Sequence, residues 1–196
     1  YSGIIVCGMR NLDMNTNFAM LKQAREMLGD GVVACDLAGD EKAYPTYQFE
    51  DFFAMARRYK MPFTIHAGEC GSRNSIRDAI EFGAARIGHG IAMAGDEELK
   101  KICSSRRIGV ELCPTSNLQT KAITDFSKYP FQELIEAAVP VSVNTDNRTV
   151  SNTTCTKEWE RLEEAGFYHA EYGRKVYEAS VHTCFASDDI KHLLLR

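Results

Sequence analysis

The sequence predicts an α/β fold and, within that class, an incomplete (β/α)8 barrel. Six short apolar runs alternate with amphipathic helical segments at a spacing of about 23 to 32 residues, which corresponds to one βα unit each time. Polar and ionisable residues follow four of these runs, at the strand ends where a (β/α)8 barrel carries its active site. A complete barrel has eight strands and usually roughly 250 residues. A chain of 196 residues with six strands is therefore expected to lack the first part of the barrel.

The strands are predicted from apolar runs bounded by turn residues. Continuous apolar character is typical of parallel strands that are buried on both faces. The six runs are Ile4 to Cys7, Val32 to Cys35, Phe63 to Ile65, Arg86 to Gly88, Ile108 to Leu112 and Val141 to Val143.

The segments between the strands carry apolar stripes at helical spacing, which predict helices that pack against the sheet. Ser72 and Asp96 precede two of these stripes and are predicted to cap the helices that follow them. After Asp146 the pattern indicates only helices, and no linker or low-complexity tract interrupts the chain. We therefore expect a single domain over residues 1–196.

Composition excludes several classes of function. A formal net charge of -4 and a pI near 5.8 are not those of a general nucleic-acid binder, so no nucleic-acid partner is expected. No apolar run approaches the roughly 20 residues of a membrane span, so no membrane partner is expected either. The seven cysteines form no C-x-x-C pair, which indicates reduced thiols and a cytoplasmic location.

The clearest functional signal is His66-Ala67-Gly68-Glu69, directly after the third apolar run. The imidazole of His66 suits a zinc ion, although a hydrogen-bonded structural histidine is the alternative. Partial burial would raise the pKa of the Glu69 carboxyl and allow it to donate a proton near neutral pH. The alternative for Glu69 is a solvated surface carboxylate.

Four further positions are candidates from their strand-end placement. His89 lies between two glycines and could act as a base or electrostatic stabiliser, or the glycines could mark only a tight turn. Asp146 could bind a metal or cap the following helix. Glu111 lies within an apolar strand and needs a partner, so it is a candidate for orienting a histidine. Gly39 could present its N–H to a ligand, or form a simple turn.

Taken together, these motifs resemble the adenosine deaminase family of metal-dependent amidohydrolase barrels. The order and spacing match over nearly the whole chain and imply the C-terminal three quarters of such an enzyme, with strands three to eight and a bacterial-type variant of the last motif. The matching stretches are Asp36-Leu37-Ala38-Gly39-Asp40-Glu41, His66-Ala67-Gly68-Glu69, Arg86-Ile87-Gly88-His89-Gly90, Glu111-Leu112-Cys113-Pro114-Thr115-Ser116-Asn117 and Val143-Asn144-Thr145-Asp146-Asn147.

The resemblance implies a role for each matched residue. It makes His66 and Asp146 ligands of one Zn²⁺ ion, with Glu111 and Ser116 as supporting residues behind the site. It makes Glu69 the acid that protonates purine N1 and His89 the residue that assists the attacking hydroxide. Gly39 would donate its N–H to purine N3, and Asn147 would donate its amide NH2 to purine N7, where many relatives have a second Asp.

The implied reaction converts adenosine or deoxyadenosine into inosine or deoxyinosine and ammonia, so a small purine nucleoside is the expected partner. The family's first strand supplies two further imidazoles from a His-x-His pair, and this chain contains no such pair. With two of the usual three or more zinc ligands, these 196 residues alone are expected to be inactive. The alternatives are a related deaminase of adenine, AMP or N6-methyl-AMP, and a barrel that binds without catalysis. The oligomeric state is not predicted.

Overall fold

Six parallel strands form the frame of the computed structural model, which describes residues 1–196. Hydrogen bonds join β1 to β2 and then β3, β4, β5 and β6 in sequence order. A single bridge between Cys35 and Phe63 links the two groups, with the Cys35 N–H donating to the Pro62 carbonyl at 3.0 Å. The strands are β1 (Ile4–Met9), β2 (Val32–Ala38), β3 (Thr64–Ala67), β4 (Arg86–His89), β5 (Gly109–Leu112) and β6 (Val141–Val143).

Ten α-helices follow or separate the strands. Ser72 accepts a hydrogen bond from the Ser75 N–H, and Asp96 accepts one from the Leu99 N–H, so both predicted N-caps are confirmed. The helices are α1 (Met14–Glu26), α2 (Glu50–Arg58), α3 (Arg73–Phe82), α4 (Glu97–Arg106), α5 (Pro114–Gln119), α6 (Phe131–Glu136), α7 (Arg148–Ser151), α8 (Cys155–Glu164), α9 (Ala170–Thr183) and α10 (Asp188–Leu194). None of them combines the length and the apolar character that a membrane-spanning helix needs.

Strand register separates the core from the site. Ile65, Ile87, Val110 and Val141 are lateral neighbours across β3 to β6, and all four are essentially inaccessible to solvent. Successive side chains of a strand point to opposite faces. The next row, His66, Gly88, Glu111 and Ser142, therefore occupies the other face of the sheet. Three of its four members carry polar side chains.

The predicted α/β barrel architecture is confirmed as a partial barrel. All six predicted strands are present, but four extend beyond the predicted end, so His66 and His89 are residues of β3 and β4 and do not follow them. Residues with polar side chains can belong to a strand because the hydrogen bonds between strands are made by backbone groups alone. β1 and β6 each pair on one side only, so the sheet has two open edges.

Candidate active site

A cavity of about 650 Å³ opens at the C-terminal ends of the strands. Its lining brings together five residues that the sequence singled out from four separate segments: Gly39, His66, Glu69, His89 and Asp146. A larger cavity of about 990 Å³ lies between β6, α8 and α9, and none of the predicted site residues lines it. The convergence of ionisable groups identifies the smaller cavity as the candidate site.

His66 is oriented by Asp36, a residue for which no role was predicted. Its Nδ1 lies 2.9 Å from Oδ2 and 3.1 Å from Oδ1 of Asp36, on the neighbouring strand β2. Burial lowers the pKa of His66, but the charge and hydrogen bond of Asp36 outweigh that effect and raise the pKa to about 9. With Nδ1 bonded to Asp36, the ring nitrogen left for a metal is Nε2. An acidic residue inside the buried run of β2 was the available signal.

Gly88 provides the space that the His66 ring occupies. A Cβ atom at position 88 would lie 3.2 Å from both Cγ and Nδ1 of His66. That distance is tighter than ordinary van der Waals contact, so a side chain here would displace the ring from its present position. Gly88, on β4, therefore leaves room for the side chain of His66 on the neighbouring strand β3.

Glu69 projects between β3 and α5. The Thr120 hydroxyl lies 3.0 Å from its Oε1, and its Oε2 lies 3.6 Å from Nε2 of His89. About a fifth of the Glu69 side chain is exposed, so it is neither fully buried nor the free surface carboxylate of the alternative interpretation. Its carboxyl group is thus held at the cavity wall.

His89 is almost completely buried and has a left-handed backbone, with φ at 61°. The Tyr129 hydroxyl donates to Oδ1 of Asn117, which turns Nδ2 of Asn117 toward Nδ1 of His89 at 2.9 Å. An amide NH2 can only donate, so Nδ1 accepts and the proton of the neutral ring lies on Nε2. Burial and then the charge of His66 lower the pKa of His89. This arrangement supports a neutral hydrogen-bond donor more than a general base.

Asp146 is held from the opposite side of the cavity. The Ser116 hydroxyl donates to its Oδ2 at 2.6 Å, which gives Ser116 the supporting contact expected of it. The alternative that Asp146 caps the following helix is wrong. Asn147 caps α7 instead, because its Oδ1 accepts from the Val150 N–H at 3.1 Å. The amide NH2 of the exposed Asn147 remains available for a ligand.

Glu111 does not contact a histidine, so the expectation that it orients one is wrong. Its carboxylate pairs with the Arg86 guanidinium, on the adjacent strand β4. Arg86 also lies over the Phe185 ring, 4.2 Å from its centroid. The Arg86 guanidinium, which is also held by Phe185, is therefore the partner of the Glu111 carboxylate. Glu111 affects His66 only through its negative charge, which raises the pKa of the imidazole.

Gly39 follows β2 with φ at +112°, a conformation that L side chains rarely adopt. The loop after it carries Glu41, which is buried and for which no separate role was predicted. Arg10, at the end of β1, is also buried and was not anticipated. It donates to the carbonyl oxygens of Tyr44 and His66 and to the Thr46 hydroxyl.

The donors on this chain have the chemistry of a zinc site but are too few to complete one. Imidazole nitrogen of His66 and carboxylate oxygen of Asp146 both suit zinc, and a catalytic site usually has three protein ligands. No group of three or more His, Cys, Asp or Glu side chains is arranged to hold a metal. Further donors would have to come from outside these 196 residues.

Comparisons with known proteins agree on one family. The sequence profile described as adenosine deaminase matches residues 2–196. Adenosine deaminases of Enterococcus faecalis and Clostridium botulinum strain 657 are 41% and 37% identical to the chain, and the match covers 98% of the chain in both cases. It covers 57% and 59% of those proteins. The chain thus spans well under the three quarters of a relative that the motifs implied.

Solved structures show the same architecture. An adenine deaminase from Arthrobacter aurescens superposes with a TM-score of 0.90 at 23% identity, over 98% of this chain and 59% of that one. At 23% identity this likeness establishes the fold alone. The N6-methyl-AMP deaminase of Arabidopsis thaliana superposes with a TM-score of 0.86 at 27% identity, over 98% and 57% of the two chains. From the profile match over nearly its whole length, the chain belongs to the adenosine deaminase family.

Proposed function

We propose that this chain is part of a zinc-dependent hydrolase that converts adenosine and deoxyadenosine into inosine and deoxyinosine with release of ammonia. The observation that carries the proposal is the convergence of His66, Glu69, His89 and Asp146 on one cavity, each with a supporting contact. The full-length form, meaning this chain completed to the length of its relatives, would carry the activity.

His66 and Asp146 would hold the metal together with donors outside this chain. A zinc ion bound there would lower the pKa of a coordinated water from 15.7 toward roughly 7. Asp36 bonds Nδ1 of His66 and leaves Nε2 free for the metal. Ser116 bonds Oδ2 of Asp146 and leaves Oδ1 free. These contacts would turn the free donor atoms of His66 and Asp146 toward the metal.

Glu69 would give its proton to purine N1 while water adds to C6. Protonation at N1 draws electron density away from C6 and neutralises the charge that addition creates on the ring. His89, with its proton on Nε2, would hold the attacking oxygen by donating to it. The hydroxyl proton on the tetrahedral carbon would pass to the leaving amine, so that collapse breaks the C6–N bond, expels ammonia and forms the C6 carbonyl. The other proton of the water would replace the one that Glu69 gave to N1, so one water is consumed for each ammonia released.

The other side of the purine would be held by neutral hydrogen bonds. The N–H of Gly39 would donate to N3, and the amide NH2 of Asn147 to N7, because both purine nitrogens are acceptors. These contacts fix the ring so that C6 faces the metal side and N1 faces Glu69.

A related 6-aminopurine deaminase is the second candidate. Solved relatives include an adenine deaminase and an N6-methyl-AMP deaminase, and IMP and GMP are bound in two structures of an Arabidopsis relative. Adenosine is favoured because the curated relatives at 37 to 41% identity are named adenosine deaminases.

The test compares ammonia release from adenosine, deoxyadenosine, adenine, AMP and N6-methyl-AMP by the zinc-loaded full-length form. We expect the highest kcat/KM for adenosine or deoxyadenosine. Glu69→Gln should lower kcat by about 10²- to 10⁴-fold, the usual value of a general acid, and exposed Glu26→Gln should not lower it. Preference for another base or nucleotide would favour the second candidate, and release from none of the five would mean a barrel without this catalysis.

A further inference from the structure

The Glu41 carboxylate is one of the most heavily bonded groups in the structure. It accepts three hydrogen bonds from consecutive backbone amides: Oε1 from the Gly68 N–H at 2.7 Å, and Oε2 from the Glu69 N–H at 3.0 Å and the Cys70 N–H at 3.1 Å. The residue is only 4% exposed. Hydrogen bonds to an ionised acceptor are roughly twice as strong as neutral ones. One carboxylate therefore determines the position of the three residues that follow β3.

The N–H groups of these three residues have no other acceptor, although the Gly68 carbonyl accepts from the Ala92 N–H at 3.0 Å and the Thr120 hydroxyl contacts the Glu69 side chain. Gly68 has φ at +76°, and a Cβ atom there would lie 2.5 Å from Cδ1 of Ile76, so the chain passes too close to α3 for any side chain. The segment belongs neither to β3 nor to α3. Without an acceptor, its three N–H groups would be left at a turn with no ladder to join.

The anchor itself is fixed. Arg10 donates to the Tyr44 carbonyl at 2.6 Å and to the Thr46 hydroxyl at 3.0 Å, just after Glu41 in the chain. The same guanidinium donates to the His66 carbonyl at 2.7 Å, just before the amides that Glu41 holds. The backbone between His66 and Cys70 is thus held at its start by a buried cation and along its length by a buried anion.

We propose that Glu41 is a positioning residue that sets the direction of the Glu69 carboxyl toward the purine. Both of its oxygens face backbone amides and Glu41 does not line the cavity, so it does not contact a substrate or a metal there. Its effect on catalysis therefore passes through the backbone that carries Glu69. This inference depends on the acid role of Glu69 in the proposed function.

The test is a double-variant cycle in the zinc-loaded full-length form, with Glu41→Gln, Glu69→Gln and the two combined. The Gln side chain keeps the size of Glu41 but places an NH2 group against backbone N–H donors. A displacement of about 1 Å in a catalytic group can cost on the order of 10²-fold in rate, and we expect such a loss of kcat for Glu41→Gln alone. In the Glu69→Gln background the same change should cost less than about threefold, because residues that act as a unit are not additive.

A binding measurement separates positioning from general damage. 1-Deaza-adenosine has C–H in place of N1 and cannot accept from Glu69. Glu41→Gln should weaken adenosine-type ligands that retain N1 and leave the affinity for the 1-deaza analogue within about twofold. Equal loss for both ligands, or a full loss of kcat in the Glu69→Gln background, would overturn the inference.

Two controls keep the result interpretable. If Glu41→Gln does not fold, Glu41→Asp takes its place, since the shorter carboxylate keeps the charge but cannot reach all three amides, and near-normal kcat in that variant would contradict the inference. Glu26→Gln, at an exposed position of α1, should change nothing. If the unsubstituted enzyme is inactive, or if Glu69→Gln is harmless, the proposed function itself fails. An additive cycle in an active enzyme rejects only the role of Glu41.

Discussion

The carboxylate of Asp36 lies 2.9 Å from Nδ1 of His66, and this contact crosses from β2 to β3. The Leu37 N–H also donates to Asp36 Oδ1 at 2.6 Å, so the carboxylate is fixed on its own strand before it meets the ring. A histidine bonded in this way offers one defined nitrogen to a metal and is a better ligand than a freely rotating ring.

Asp36→Ala should therefore weaken zinc binding to the full-length form by about 10- to 100-fold, the usual cost of removing a residue that orients a metal ligand. Asp36→Asn should lose less, because its amide oxygen still accepts from Nδ1 while the charge is gone. Competition with a chromophoric chelator measures both affinities, with exposed Asp30→Ala as the control. Unchanged affinity in the Ala variant would show that His66 is oriented by its packing alone.

The 196-residue chain by itself should turn over adenosine poorly or not at all. It supplies His66 and Asp146 as metal donors, whereas a catalytic zinc site usually has three protein ligands. The measurement compares ammonia release by the zinc-treated chain and by the full-length form at equal concentration. Turnover by the purified chain that His66→Ala abolishes would contradict this expectation.

Much of the site could be predicted because it depends on strand ends. In a parallel sheet the C-terminal ends of successive strands meet at one edge, so polar residues after consecutive apolar runs come together. His66, Glu69, His89 and Asp146 were predicted on this basis, and all four line one cavity. The repeat of strand and helix also determined the architecture.

Partners of these residues could not be predicted, because they depend on side-chain contacts between strands. Glu111 was assigned to a histidine, but nothing in the sequence shows that Arg86 lies closer on the neighbouring strand. Asp146 was considered as the cap of α7, but the cap is Asn147. The sequence cannot distinguish the two, since both residue types can cap a helix. The Ser116 hydroxyl bonds Asp146 and leaves the cap to its neighbour.

Asn117→Asp should make the kcat/KM of the full-length form fall as the pH rises, because the new carboxylate draws the proton of neutral His89 from Nε2 to Nδ1. Asn117 donates to Nδ1 of His89, and burial lowers the pKa of that imidazole. A carboxylate at position 117 would accept from a protonated Nδ1 and so raise the pKa of His89. Below that raised pKa both ring nitrogens carry a proton, so Nε2 can still donate to the attacking oxygen. Above it the neutral ring keeps its proton on Nδ1, so activity should be retained at lower pH and lost at alkaline pH.

The matched control for this shift is Asn15→Asp, which adds the same charge at an exposed position of α1. Its profile should coincide with that of the unsubstituted enzyme. A loss of activity at position 117 that is equal at every pH would show that Asn117 holds His89 in place without setting its protonation.

The proposed purine contact of Asn147 can be separated from its role as a helix cap. Asn147→Ala removes both the NH2 donor and the oxygen that accepts from the Val150 N–H. Asn147→Asp keeps a capping oxygen but has no donor for N7 while ionised. Both variants should weaken adenosine binding by several-fold to about a hundredfold if a buried acceptor is stranded. Only the Ala variant should also lower the melting temperature, since losing a cap costs about 0.5–2 kcal/mol.

Zinc content should stay intact in both variants, because the metal ligand is the neighbouring Asp146. The deciding ligand is 7-deaza-adenosine, whose C7–H cannot accept a hydrogen bond. The unsubstituted full-length form should discriminate against it, and both variants should lose that discrimination because the donor is absent from each. If the unsubstituted form accepts 7-deaza-adenosine as well as adenosine, or if the Asp variant discriminates as before, Asn147 does not contact N7 and serves only to begin α7.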